Sequence, residues 1–396
     1  MNKSSYRWAI LTFYSLIAII IQIQWLAFAS ITEAAKSFYH VSNLGIDFLS
    51  IIYMLVFIVL SIPASYIIDT YGLKKGLLIG AWLTGIFGLL KAIGANNYYI
   101  VLVAQTGLAV AQPFILNALT KMAAKWFPHD ERATVAGIGT LAQYIGIIIA
   151  LALTPFMIDE NIEGFQIGRM LTIYGILSAV SAVLVILFVK DPPATIDANE
   201  NHEMRISPQR SILYILKNRD MQFLIILFFI GLGIFNAIST CINQITPKLT
   251  PEQSGLVGGI MLIGGIFGAL ILPYLSDKRK KRRPFIIICM VLLTPGIVGL
   301  TFFHEFIPLL ISSFIFGFFI MSAGPIGFQY GAEVSYPATE SISQGILLLA
   351  GQISGIVFVY GLDLIGASTA MFIFMVLGIV NIAISTRLKE SYDRIP

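Results

Sequence analysis

Charge is what this chain has least of. Only 12% of its 396 residues are Asp, Glu, Lys or Arg, against 57% apolar, where a soluble domain carries about 25% charged and about 45–50% apolar residues. A water-facing surface cannot be built from so little charge, so a soluble globular protein is excluded and lipid must solvate most of the chain. Cysteine is also scarce. Cys241 and Cys289 are the only two, both in apolar runs; they form no disulfide framework and no CxxC and read as small buried side chains. The four histidines, His40, His129, His202 and His304, fall in loops or at membrane edges, which leaves no histidine for haem in a central pocket. There is no intramembrane HExxH, Ser/His/Asp set or carboxylate pair. No enzyme activity, cofactor or metal is therefore expected.

What is abundant is hydrophobic length. About 20 apolar residues span the hydrocarbon of a bilayer, and the sequence predicts twelve such segments, near 8–32, 45–68, 73–95, 98–122, 132–157, 168–189, 220–245, 254–275, 284–303, 306–330, 338–363 and 366–387. The first is longer than the ~7–15 residues of a signal-peptide core and contains Gln22, Gln24 and Trp25, so it reads as a retained transmembrane helix. The expected fold is all-α, an integral membrane protein of two pseudo-symmetric six-helix bundles, 1–189 and 220–396, joined by a cytoplasmic linker, 190–219.

The net charge of +4 follows from topology rather than from nucleic acid. With both termini inside, alternate loops place 21 of the 25 Lys and Arg on the inner side and leave Lys36, Lys91, Arg169 and Lys248 outside, the bias that orients membrane proteins. The basic run Lys278–Arg283 is read as part of this bias. An inner-membrane or plasma-membrane location, a monomer, and only a small-molecule solute and the bilayer as partners are expected.

A short element recurs in both halves. The second span ends at Asp69, followed by Gly72, Lys74 and Lys75; the eighth ends at Asp277, followed by basic residues. A carboxylate at a helix end can pair with a cation or a neighbouring helix N-terminus. Asp69, Asp277 and Glu333 are the expected gating latches of the inner side.

Charge deep in a membrane is costly and usually functional. No acidic or basic residue falls near the centre of a predicted span; Asp47, Lys91, Glu333 and Asp363 lie near span ends, and Glu33 at the outer end of the first. This argues against a proton relay through the core and favours a neutral or cationic solute. Amides and aromatics do fall mid-span: Trp25, Gln112, Asn117, Gln143, Tyr144, Asn236, Asn243, Gln244 and Gln352. Amides offer donors and acceptors without charge, and an indole offers a π-face to a cation. Glycine pairs four apart, such as Gly264/Gly268 and Gly327/Gly331, permit close helix approach.

Several stretches carry a family resemblance. They are Gln24-Trp25-Leu26, Gly45-Ile46-Asp47-Phe48-Leu49-Ser50, Ala111-Gln112-Pro113-Phe114, Asn243-Gln244, and Gly327 through Pro337, which contains Glu333-Val334-Ser335-Tyr336-Pro337. Together they resemble the feline leukaemia virus subgroup C receptor-related transporters of the major facilitator superfamily. The resemblance implies transport of a small organic solute by alternating access, with choline- or ethanolamine-like amines or another small polar metabolite as candidates. It implies a substrate site in which Trp25 is the cage tryptophan and Gln112 and Gln352 are the two glutamines. The family's seventh-helix tyrosine falls at Asn236, a departure that weakens a cage for quaternary ammonium. Two alternatives stay open: export of a larger hydrophobic cargo such as haem or a siderophore, and a transporter-like receptor or sensor.

Overall fold

The computed structural model describes residues 3–127, 132–158, 163–190, 208–336, 338 and 340–391, and all regular structure among them is helical. The chain divides into two compact units, Met1–Glu200 and Asn201–Pro396. Among the described residues, twelve stretches are long and apolar enough to cross a membrane, with boundaries within a few residues of those expected.

The first unit contains α1 (Lys3–Leu26), α2 (Thr32–Tyr39), α3 (Asn43–Tyr71), α4 (Leu73–Ile93), α5 (Tyr98–Leu116), α6 (Ala118–Trp126), α7 (Arg132–Ile148) and α8 (Glu163–Phe188). After α7 the chain runs through a π-helical turn, Ile149–Leu153, and a 3-10 turn, Pro155–Met157. Polar side chains start the helices. Ser42 caps α3 by accepting from the Gly45 amide, and Asn97 caps α5 by accepting from Tyr99 and Ile100, satisfying amides that have no partner within the helix. The turn from α3 to α4 is the single residue Gly72, at φ 99°, where a side chain would be strained. This is the physical reason for the glycine of the Asp69–Lys75 element.

The second unit contains α9 (Pro208–Lys217), α10 (Arg219–Thr240), α11 (Ile242–Ile245), α12 (Pro251–Arg279), α13 (Arg283–Phe302), α14 (Phe306–Ser335), α15 (Glu340–Ile365) and α16 (Ala367–Ser385). Asn218 caps α10, and Thr250 with Gln253 forms a reciprocal capping box on α12, an arrangement that satisfies two orphan donors at once. The close approach expected of the glycines is real at α12 and α14: a Cβ on Gly268 would run into the Phe318 carbonyl, and one on Gly317 into the Met261 carbonyl. Backbone meets backbone there, so only glycine fits.

Large apolar side chains such as Val59, Ile62, Ile93 and Leu187 are left exposed. In water such surface would be a liability; for helices of this length it is the lipid-facing side.

One expectation needs correction. The first span does not run unbroken to residue 32. It stops at Leu26, turns through Ala27–Ser30, and restarts as the short α2. The segment 190–219 contains α9, at 208–217, while 191–207 lie outside the described residues, as do His129 and His202.

Candidate functional site

Trp25 sits near the C-terminal end of α1, where the last carbonyls of a helix lack intrahelical donors. It is bound twice to α3. Its indole Nε1 donates to the Ser50 carbonyl at 3.2 Å, and the Ser50 hydroxyl donates to the Trp25 carbonyl at 3.2 Å. The ring is therefore held in one orientation and nearly buried. Gln22 lies three residues earlier, on the same helical face. Gln112 of α5 donates through Nε2 to Gln22 Oε1 at 3.0 Å. The bond leaves Gln112 Oε1 as an acceptor and the Gln22 amide as a donor, neither partnered among the described residues. Trp25 and Gln22 thus lie on one face of α1, and the Gln22–Gln112 bond leaves one acceptor and one donor open.

In the second unit, Asn236 of α10 donates through Nδ2 to the Gly351 carbonyl at 3.2 Å. Its Oδ1 takes no donor among the described residues. Gln352, the next residue after Gly351 on α15, is half-buried and makes no hydrogen bond through its amide among the described residues. Asn236 and Gln352 are therefore neighbours. Trp25 and Gln112 belong to the first unit, Asn236 and Gln352 to the second.

Not every mid-span amide is free. Asn117 donates to the Ser61 carbonyl at 2.9 Å, to Ser61 Oγ at 3.1 Å and to Ser65 Oγ at 3.0 Å. It fastens the break between α5 and α6 to α3 and has no donor left for a solute. An apolar recess between α10, α13 and α14, bordered by Leu224, Phe228, Met290, Ile320 and Gly324, carries no polar side chain and could only accept hydrocarbon.

Of the expected latches, Asp277 and Glu333 meet through one residue that the sequence did not single out. Arg282 Nε donates to Glu333 Oε1 at 3.1 Å, and its Nη1 reaches both Ser276 Oγ, at 3.2 Å, and Asp277 Oδ1. The Arg282 side chain is 7% exposed and that of Glu333 2%, while Asp277 is 64% exposed. Arg282 is thus a buried bolt inside the run Lys278–Arg283. Burial pulls its basicity down, but the bond to Asp277 and the charge of Glu333 outweigh that and hold it above its ordinary value. Glu333 also accepts from Gln329 at 3.1 Å and from Ser391. Asp69 lies in α3; its side chain is outside the described residues.

Lys91 lies two residues from the end of α4, near a span end as expected, but does not face water. The sequence put it among the four outer-side cations. In the structure it is fully buried within the first unit, its ammonium 2.9 Å from Gln24 Oε1 and 4.9 Å from the centre of the Phe28 ring. Nothing in the sequence around position 91 marks it out except a cation at the edge of an apolar run.

Twelve stretches among the described residues that are long and apolar enough to cross a membrane, in two units, define a polytopic membrane protein. The Major Facilitator Superfamily model matches residues 10–359, and the chain belongs to that superfamily. It is a transporter by family and fold, and these are not the family and fold of enzymes. The choline/ethanolamine transporter FLVCR2 of Rattus norvegicus is 29% identical over 385 residues, covering 90% of this chain and 69% of that protein. Solute carrier family 49 member A3 of Danio rerio is 28% identical, covering 92% of this chain and 79% of that one. Among solved structures, a D-xylose-proton symporter superposes with a TM-score of 0.78 at 12% identity, covering 98% of this chain and 99% of its own. A bacterial homologue of the human lysosomal transporter Spinster, inward-facing and unoccupied, gives 0.76 at 13% identity with 96% of each chain covered. At such identities the structures speak for the fold alone.

Proposed function

We propose that this transporter moves a small organic amine of the choline or ethanolamine kind by alternating access, binding it with Trp25, Gln112, Asn236 and Gln352. The observation that carries the reading is the indole of Trp25, fixed by Ser50 and one helical turn from Gln22, whose bond to Gln112 leaves an acceptor and a donor open. A cationic head over an indole face gains about 0.5–2 kcal/mol, and the hydroxyl of an amino alcohol can use one acceptor and one donor. The names of the FLVCR2 relatives support the same solute class. Neither haem nor a siderophore is favoured by any contact, and no sensor module is needed to account for the fold.

The transporter works as a monomer in the cell membrane, with both termini on the cytoplasmic side; the 21 Lys and Arg in alternate loops support this orientation. Units 1–189 and 220–396 are the rocking bodies. Asp69, Asp277 and Glu333 hold the inner side.

A narrower reading has its own support. Asn236 keeps Oδ1 open while its Nδ2 is committed to Gly351. A primary ammonium has three N–H donors to offer that oxygen, and a quaternary ammonium has none. Ethanolamine is therefore preferred over choline. Uptake of labelled choline and ethanolamine into proteoliposomes tests both readings. Saturable uptake that is weakened by Trp25→Ala is expected, with ethanolamine the better competitor; absence of saturable uptake of either amine refutes the assignment.

A further inference from the structure

Lys91 poses a problem that the solute site does not solve. An ammonium inside a membrane bundle normally has a carboxylate partner. Lys91 has none among the described residues. Its contacts are Gln24 Oε1 at 2.9 Å, the Gln24 carbonyl at 3.4 Å and the face of Phe28.

The answer lies in where α1 stops. The helix ends at Leu26, and the chain turns through the buried residues Ala27–Ser30 before α2 begins. The last carbonyls of α1 therefore point past its end without helical donors. Each is met from elsewhere. The Gln24 carbonyl accepts from Lys91 Nζ and, at 2.9 Å, from Gln105 Nε2. The Trp25 carbonyl accepts from Ser50, and the Leu26 carbonyl from the Ala29 amide at 3.1 Å. The C-terminus of a helix also carries about half a negative charge, which supplies the counter-charge that no carboxylate provides.

The same Gln24 is held on its other side. Its Nε2 donates to Ser178 Oγ at 3.0 Å and to the Tyr174 carbonyl at 3.3 Å, both on α8. A single residue next to Trp25 is thus tied to α4, α5 and α8. Irregular backbone away from water, as at the buried turn Ala27–Ser30, is tolerated only where the surrounding protein satisfies it.

We propose that Lys91 is a positioning residue for the solute site: its ammonium closes the broken end of α1 through Gln24 and so fixes the backbone that presents Trp25. It acts at one remove and touches no solute. The inference deepens the choline/ethanolamine reading and rests on it only for its transport readout.

The experiment has two arms. In the first, hydrogen exchange of the peptide covering residues 22–31 is compared in wild type, Lys91→Met and Ser178→Ala. Lys91→Met removes the cation from the helix end; Ser178→Ala removes one bond to the Gln24 side chain and leaves the end closed. Exchange about tenfold faster in Lys91→Met than in Ser178→Ala is expected. In the second, uptake of labelled choline and ethanolamine is measured in proteoliposomes. A KM raised about fivefold or more for the better-transported amine, with Vmax per folded molecule kept within about twofold, is expected for Lys91→Met. If that variant does not fold, Lys91→Gln, which keeps a donor and loses the charge, takes its place.

Unchanged exchange in 22–31 overturns the proposal. So does a loss confined to Vmax or to the yield of folded protein, the mark of a merely structural lysine. If wild type transports neither amine, the solute assignment fails, and the exchange arm alone decides whether Lys91 holds the end of α1.

Discussion

Trp25 and Ser50 exchange two hydrogen bonds, indole to carbonyl in one direction and hydroxyl to carbonyl in the other, each 3.2 Å long. One of these bonds uses the Ser50 backbone and survives substitution of its side chain. Ser50→Ala should therefore loosen the ring without freeing it, at a cost of about 0.5–1.5 kcal/mol. Trp25→Phe keeps a π-face and loses the indole donor; Trp25→Ala loses both. The expected order of rising KM for the transported amine is wild type, Ser50→Ala, Trp25→Phe, Trp25→Ala, read from proteoliposome uptake. A Trp25→Ala protein with wild-type KM would remove the indole from the site.

Gln22 and Gln112 are joined by one bond between α1 and α5. A double-mutant cycle with Gln22→Leu and Gln112→Leu should return a coupling of about 1 kcal/mol in thermal unfolding. In uptake, each single variant should lose affinity, because each also removes a group left open to the solute.

The bolt at Arg282 has one buried and one exposed carboxylate. Exposed pairs are worth about 0–1 kcal/mol, whereas removing one partner of a buried pair costs about 3–5 kcal/mol. Asp277→Asn should therefore barely move the unfolding temperature, while Arg282→Met, which strands Glu333, should lower it strongly. Equal effects of the two substitutions in a thermal melt would contradict the burial difference.

Two glycines test close packing against backbone freedom. A Cβ on Gly317 strikes the Met261 carbonyl, while one on Gly345 of α15 meets nothing within 4 Å. Gly317→Ala should push α14 off α12 and destabilise by about 1–3 kcal/mol. Gly345→Ala should stabilise by about 0.5–1 kcal/mol, because the unfolded chain loses freedom and the helix gains a better former. Melting temperatures of the purified variants decide the sign.

Hydrophobic length alone made the twelve spans and the all-helical class legible, since a bilayer imposes its thickness on any sequence that crosses it. The stop of α1 at Leu26 was not legible. Ala27, Phe28 and Ala29 are as apolar as the helix before them, and the break is completed by Lys91, Gln105 and Ser50 from distant positions. Arg282 was hidden for a related reason. Its neighbours are also basic, and what sets it apart is Glu333, 51 residues further on. Trp25, Gln112, Asn236 and Gln352 were set apart from the other amides and aromatics of the apolar runs by the family resemblance alone. Whether each has a free valence depended on Ser50, Gln22 and Gly351, which no local pattern announces.

The stretch Thr386–Ser391 is sewn to the helices it passes. Arg283 holds the Thr386 carbonyl, Asp220 and Tyr330 hold the backbone of Lys389, Glu390 accepts from the Arg282 amide, and Ser391 reaches Glu333. Because Glu333 serves both this seam and the Arg282 bolt, trimming the chain back to α16 would unpick a junction between α10, α13 and α14. Purification tags and reporter fusions belong after Ser391, where they leave those stitches in place.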